Sequence, residues 1–232
     1  MERYARRINM SQSDTVDRIL DAAEQLFAER GFSETSLRQI TSKAKVNLAA
    51  VNYHFGSKNA LIQAVFARFI NPFTRILRDR LQGVVAESRK VELEELLQIV
   101  TSSVIDIPAR NSKSLSIFMR LLGLAYTQSQ GHLRKYLEQQ YSTEFRLFMR
   151  LLKDATPELN AVERFWRIQF MLGATAFTMS SSEALGSILE KELGVKTPVI
   201  GIVNQLVPFL AAGINAPSDE SRHTSAEAAS AG

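Results

Sequence analysis

Apolar residues recur along most of this chain at the period of an α-helix. Val16, Ile19, Leu20, Ala23, Leu26 and Phe27 fall at i, i+3, i+4, i+7, i+10 and i+11, a stripe on one helix face. Ser13 or Asp14 can cap its start, and Gly31 can end it. Next comes TSLRQITSKA, where Ser36 and Gln39 have the spacing of a capping box and Leu37, Ile40 and Ala44 face inward. Asn47 is a natural N-cap for LAAVNYHF, which Gly56 ends. Ser57 then caps a long helix whose stripe includes Leu61, Val65, Phe66, Phe69 and Ile70. Pro72 lies inside that pattern and predicts a kink or a restart.

Residues 82–90 read as a loop or frayed end. Beyond them the pattern predicts helices near 91–106, 112–127, 131–154, 159–181, 182–193 and 197–213. No alternating strand pattern competes. The expected fold is all-α, with an N-terminal helix-turn-helix unit of three helices followed by a larger helical bundle. The segments expected are a flexible arm over 1–12, the helix-turn-helix domain over 13–57, a connecting helix over 58–81, the bundle over 82–214 and a disordered tail over 215–232.

Composition narrows the chemistry. The chain lacks cysteine, which removes disulfides and thiolate metal sites and fits a reducing cytoplasm. His54, His132 and His223 are far apart and lack the spacing of a His-led zinc motif, so no metal or other cofactor is expected. No motif places a serine beside a histidine, and no catalytic residue or enzyme activity is expected. The basic N-terminus is not followed by an apolar run, so it does not read as a secretory signal. VIGIVNQLVPFLAAGI is broken by Asn204, Gln205 and Pro208 and is too short and polar to span a bilayer, so no membrane partner is expected.

The net charge of +4 is mild, and its placement is more informative than its size. From Ser36 to Lys58 the chain carries Arg38, Lys43, Lys45 and Lys58 and no acid, whereas the preceding helix carries Asp14, Asp17, Asp21, Glu24 and Glu29. A local basic face fits this better than a generally basic protein. Two short capped helices around Lys45–Val46, after a longer helix, make a helix-turn-helix pattern. Ala49 and Ala50 are small enough for the backbone to approach a major-groove floor. Asn52 offers an amide, Tyr53 a hydroxyl and ring, and His54 an imidazole, while Val46, Val51 and Phe55 are left to pack inward. The first-turn amides after Ser57, with Lys58, suit a phosphate.

GFSETSLRQITSKAKVNLAAVNYHFGSKNAL resembles the DNA-binding region of the TetR family of bacterial repressors. The shared frame is T-S-x-x-x-I at Thr35–Ile40 leading into the second helix, a valine after the turn, an aromatic-His-Phe ending to the third helix, and S-K-x-x-L opening the fourth. The resemblance implies a homodimer that reads a palindromic operator in double-stranded DNA and a C-terminal bundle that binds a small inducer. Candidate DNA-facing residues are Ser36, Arg38, Lys45, Asn47, Leu48, Ala49, Ala50, Asn52, Tyr53, His54 and Lys58. By resemblance, Arg38 reaches a base or phosphate, Ala49, Ala50 and Asn52 face bases, and Tyr53, His54 and Lys58 meet phosphates. The competing reading packs Tyr53 and His54 against the first helix and leaves Lys58 solvated. Lys45 stands where the family usually has glycine, because that turn wants a left-handed backbone. It either reaches a phosphate or is tolerated strain.

In the C-terminal half, LSIFMRLLGLAYTQSQGHLRKYLEQQY, FWRIQFMLGATAFTMS and LVPFLAAG resemble the PsrA-type regulators within that family. This implies a long-chain fatty acid or acyl-CoA effector and control of fatty-acid degradation genes. Candidate lining residues are Phe118, Met119, Arg120, Leu122 and Tyr126, then Phe145, Phe148 and Met149, then Trp166, Phe170 and Phe177. Such stripes can also be ordinary core. Arg120 lies in the run FMRLLG, where an arginine is costly to bury without a partner, and can meet an effector head group or an internal acid such as Glu144 or Glu163; Arg134, Arg146 and Arg167 are further candidates, each expected to be solvated. Small residues on one late helix and large ones on another allow close packing, and the resemblance implies that these helices pair with their copies in the dimer, through Phe170, Gly173, Ala174 and Phe177 on the first and Val203, Leu206, Phe209 and Leu210 on the second; the competing reading buries them within one subunit. Two other readings stay open at this stage: a multidrug-sensing repressor, and an architectural or partner-binding protein with the same fold.

Overall fold

The computed structural model describes residues 2–108, 114–128 and 130–217, with side chains described from Asp14 onward except those of Tyr126, Thr127 and Val199. Residues 218–232, most of the expected tail, lie outside the described residues. Among the described residues there are ten helices and no strand, so the all-α expectation holds.

Helix α1 runs Glu2–Glu34. Residues 2–12, expected as an arm, continue this helix. ERYARRINMSQ is rich in good helix formers and has neither glycine nor proline to stop the helix from extending back. Near its other end α1 breaks at Gly31, whose φ of 84° and ψ of 171° take the backbone where side chains rarely go. The buried Thr35 hydroxyl lies 2.8 Å from the Gly31 carbonyl oxygen and 3.1 Å from that of Leu26, closing the corner.

Helix α2, Leu37–Ala44, opens on the expected capping box: the Gln39 amide donates to Ser36 Oγ and the Ser36 amide to Gln39 Oε1. Helix α3, Leu48–Phe55, opens on Asn47, whose Oδ1 accepts from the Ala50 amide at 2.8 Å. Helix α4 covers Lys58–Ala86, with Ser57 Oγ accepting from the Ala60 amide. It continues through Pro72 without a restart, and on through most of the stretch expected as loop. Helices α5 (Leu93–Ile105), α6 (Ser114–Thr127), α7 (Gly131–Ala155), α8 (Ala161–Ser180), α9 (Ser182–Leu193) and α10 (Val199–Ile214) match the remaining expectations within two residues at each end.

The chain packs as two units whose limits differ from the expected segments. One joins Met1–Pro72 to Pro108–Tyr141; the other joins Phe73–Ile107 to Ser142–Gly232. Helix α6 and the first part of α7 thus group with the N-terminal helices, because α1 packs against α6 as well as α2. The core of this unit holds Ile19, Phe27, Phe32, Ile40, Val51, Leu61, Phe66 and Leu121. Phe27, Phe32, Phe66 and Phe118 form a run of ring contacts at 5.4, 6.2 and 6.4 Å, and Phe118 stacks on Phe69 at 4.9 Å.

An ion network ties α1 to α4 in this unit. The Arg68 guanidinium, 7% exposed, reaches Asp21 at 2.7 Å, Asp17 at 3.1 Å and the buried Glu24 at 3.5 Å. Three carboxylates at i, i+4 and i+7 present one acidic face of α1 to a single cation.

In the other unit α10 packs against α5 and α8, and the core includes Leu96, Leu152, Ile168, Val207 and Ala211. Arg78 pairs with the buried Glu144, and Arg80 donates to Ser102, Ser103 and Asp106. Asn160 and Glu163 form a capping box at the start of α8. Glu144 and Glu163 were the internal acids considered for Arg120. Glu144 is taken by Arg78; Glu163 serves the cap and stands 3.8 Å from Arg167; Arg120 itself is exposed. Arg167, expected as solvated, donates to the Ile214 and Ala216 carbonyls and so holds the free end of α10.

Candidate nucleic-acid interface

The turn between α2 and α3 is set by backbone geometry. Lys45 sits at φ 55° and ψ 46°, the left-handed conformation, and its amide turns back to the Ser42 and Thr41 carbonyls at the end of α2. The Val46 amide also bonds Thr41 O at 3.0 Å. This double closure is how the chain stops one helix and starts the next within three residues. Lys45 therefore occupies the glycine-like conformation and leaves its ammonium on the exposed side.

Helix α3 buries one residue fully, Val51, with Val46 and Phe55 half-buried beside it. Its other side is open. Ala49 and Asn52 are exposed, Ala50 is half-buried, Leu48 is partly exposed and Tyr53 is 77% exposed. Tyr53 is thus not packed on α1. Its ring instead stands edge-on to His54 at 5.0 Å, and His54 is half-buried against Phe55. Small side chains at the centre, with an amide and a phenol toward the end, let a helix enter a groove and still offer hydrogen bonds.

Around α3 the polar residues divide by what they already hold. Ser36 and Asn47 are exposed, but their side-chain oxygens serve helix caps. Arg38 and Lys45 extend into solvent. Lys58 leans back to the Ser33 carbonyl at 3.4 Å, tying the start of α4 to the end of α1. Lys43 lies 3.9 Å from Glu29. The structure thus brings the sequence-selected residues together around α2 and α3, with Arg38, Lys45, Asn52 and Tyr53 the most available of them.

The remaining candidates divide less cleanly. Phe118 and Met119 are buried, and Leu122, Phe148 and Met149 are half-buried. Phe145, Trp166, Phe170 and Phe177 are exposed, so in a single chain they line no closed pocket. The Tyr126 side chain lies outside the described residues. A shallow cavity of about 230 Å³ sits between the α7–α8 turn and the end of α10, beside Leu159 and Pro217. It is smaller than the ~300–1,000 Å³ usual for small-molecule sites. Of the dimer candidates, Phe170, Gly173, Phe177 and Phe209 are exposed and Ala174 and Leu206 half-buried, while Val203 and Leu210 are buried in their own unit. Sequence reading missed Val162, which with Phe165 continues the same exposed face of α8. Val162 stands four residues before Trp166 and eight before Phe170, and that helical spacing was the available signal.

Two family models match the chain. Residues 19–65 fit the model described as bacterial regulatory proteins, tetR family, and residues 98–213 fit the tetracyclin repressor-like C-terminal domain. The chain belongs to the TetR family. This is a family of transcriptional regulators and not of enzymes. Among its relatives, a probable HTH-type transcriptional regulator of Bacillus subtilis, YttP, is 34% identical over 86 residues, which are 37% of this chain and 40% of that protein. An HTH-type transcriptional repressor of Mycobacterium tuberculosis is 37% identical over 82 residues, 35% of this chain and 44% of that one. The matches thus span less than half the length of these relatives. The fold is similar to that of the fatty acid degradation regulator FadR from Bacillus halodurans, with a TM-score of 0.57 and 18% identity over 87% of this chain and 96% of that one.

Proposed function

We propose that this TetR-family protein is a repressor that reads a palindromic operator as a homodimer and leaves it when a long-chain fatty acid or acyl-CoA binds. The observation that carries the DNA-binding part is the open face of α3, with Ala49, Asn52 and Tyr53 presented on a helix capped by Asn47 and stopped at Gly56. The dimer is supported by the apolar side chains that α8 and α10 leave in solvent. The effector part rests on the PsrA-like segments of the C-terminal half, and a protein of the same fold is named for fatty acid degradation.

Release is a population shift. Two recognition helices must stand about one DNA turn, ~34 Å, apart to enter successive major grooves. An acyl ligand that prefers a different spacing lowers operator occupancy only by its differential affinity for the two forms. Mass spectrometry of the natively purified protein should find a co-purifying long-chain acyl compound, and adding that compound should release the operator duplex. An acyl ligand that binds and leaves operator affinity unchanged refutes the effector reading.

Lys45 belongs to this proposal as a phosphate contact. Lys45→Gly should weaken operator binding severalfold and reduce the slope of log affinity against log salt by about one. It should also relieve the left-handed strain of a side-chain residue, about 1 kcal/mol, and raise the melting temperature. Unchanged affinity together with higher stability would assign Lys45 to tolerated strain alone.

A further inference from the structure

The corner between α1 and α2, from which the helix-turn-helix hangs, is held from outside that motif. Gln128 directly follows α6, and its amide closes that helix on Leu124 O at 2.8 Å. Its side chain crosses to the corner, where Oε1 accepts a hydrogen bond from the Phe32 amide at 3.1 Å. Its Nε2 lies 2.6 Å from the point where a β-carbon on residue 31 would stand. Gly31 is thus required by its φ of 84°, and the glutamine amide occupies the space that a side chain there would take. Phe32 is almost wholly buried and sits in the ring run that leads through Phe66 to Phe118 at the other end of α6. Helix α6 therefore grips the corner at both ends, by rings near its start and by an amide hydrogen bond at its finish.

We propose that Gln128 is a positioning residue for operator binding: it fixes the Gly31–Phe32 corner, and with it the placement of α2 and α3. This rests on the DNA-binding reading above. The Thr35 hydrogen bonds close the corner on α1 itself and the ring contacts are non-directional, whereas the Gln128 hydrogen bond ties the corner to α6 at one angle. Any shift of the α6 end must break this bond or carry the corner with it. The last turn of α6 therefore acts directly on the helix-turn-helix.

The test compares Gln128→Leu, which removes the acceptor, with Gln128→Glu, which keeps an oxygen there. Leu152→Ala, in the other packing unit, controls for general loss of stability. Hydrogen exchange at the Phe32 amide is read on the full chain, together with affinity for a duplex that the wild-type protein selects from random DNA. Gln128→Leu should speed Phe32 exchange and weaken duplex binding each by about tenfold. Gln128→Glu should stay within about threefold of wild type, and Leu152→Ala should lower the melting temperature while keeping affinity. Unchanged duplex affinity in Gln128→Leu, unchanged exchange at Phe32, or an equal loss in Leu152→Ala overturns the proposal. A wild-type chain that selects no duplex overturns the DNA-binding reading instead, and exchange at Phe32 still reports whether the glutamine holds the corner.

Discussion

Phe170→Glu should convert the proposed dimer into a monomer and lower affinity for the proposed palindromic operator by at least about a hundredfold. Phe170 is 66% exposed on α8, and Trp166 stacks on it with ring centres 6.1 Å apart. Val162, Phe165 and Phe177 continue the face, and Phe209 adds to it from α10. A large aromatic side chain buries roughly 150–250 Å² when covered, so a face of this kind is a poor surface for water and a good one for a second copy. A carboxylate placed there must lose its hydration without gaining a partner, at a cost of several kcal/mol. Two-fold symmetry brings the same charge from both chains, so the penalty enters twice. The fold of the single chain should survive, because Phe170 contributes little to its own core. Sedimentation or light scattering at micromolar concentration reads the result. A Phe170→Glu protein that remains dimeric would place the contact elsewhere.

Arg68→Ala should destabilise the N-terminal unit by about 3–5 kcal/mol, as much as truncating one of its buried phenylalanines. The loss is not the sum of three surface ion pairs. Asp17 and Asp21 are more than half exposed, and water can screen them. Glu24 is different, with its side chain only 7% exposed and Arg68 3.5 Å away. Removing the guanidinium leaves a buried carboxylate without its cation and opens a gap between α1 and α4. A fall in melting temperature of roughly 10 °C follows for a chain of this size. Arg68→Lys should recover only part of the loss, because one ammonium cannot span three carboxylates as a planar fork can. A melting temperature within a degree or two of wild type would show that the network contributes nothing net.

The helices that the sequence made legible are those with local signatures. The capping box at Ser36, the cap at Asn47 and the stop at Gly56 all act within four residues, and each appears where the pattern put it. The open side of α3 was legible for the same reason, since an eight-residue helix has few ways to bury Val51. Pairings at long range were not. Arg120 looked too apolar in its surroundings to be free, yet Arg78 and Arg167 stand nearest the acids considered for it. Spacing along one helix cannot rank arginines on three others. Nor could Trp166, Phe170 and Phe177 be assigned to a lining or an outer face, because both demand aromatic side chains at helical period. Gln128 left no local trace at all. Its role depends on a glycine 97 positions earlier, and only the fold brings the two together.

The exposed aromatic face has a consequence for the number of molecules a cell must hold. If reading both half-sites requires the pair, the active species forms in proportion to the square of chain concentration whenever copies are scarce. Halving synthesis in that regime leaves about a quarter of the operator-binding species. Derepression would then begin by dilution at cell division as well as by any effector, and gene dose becomes part of the switch.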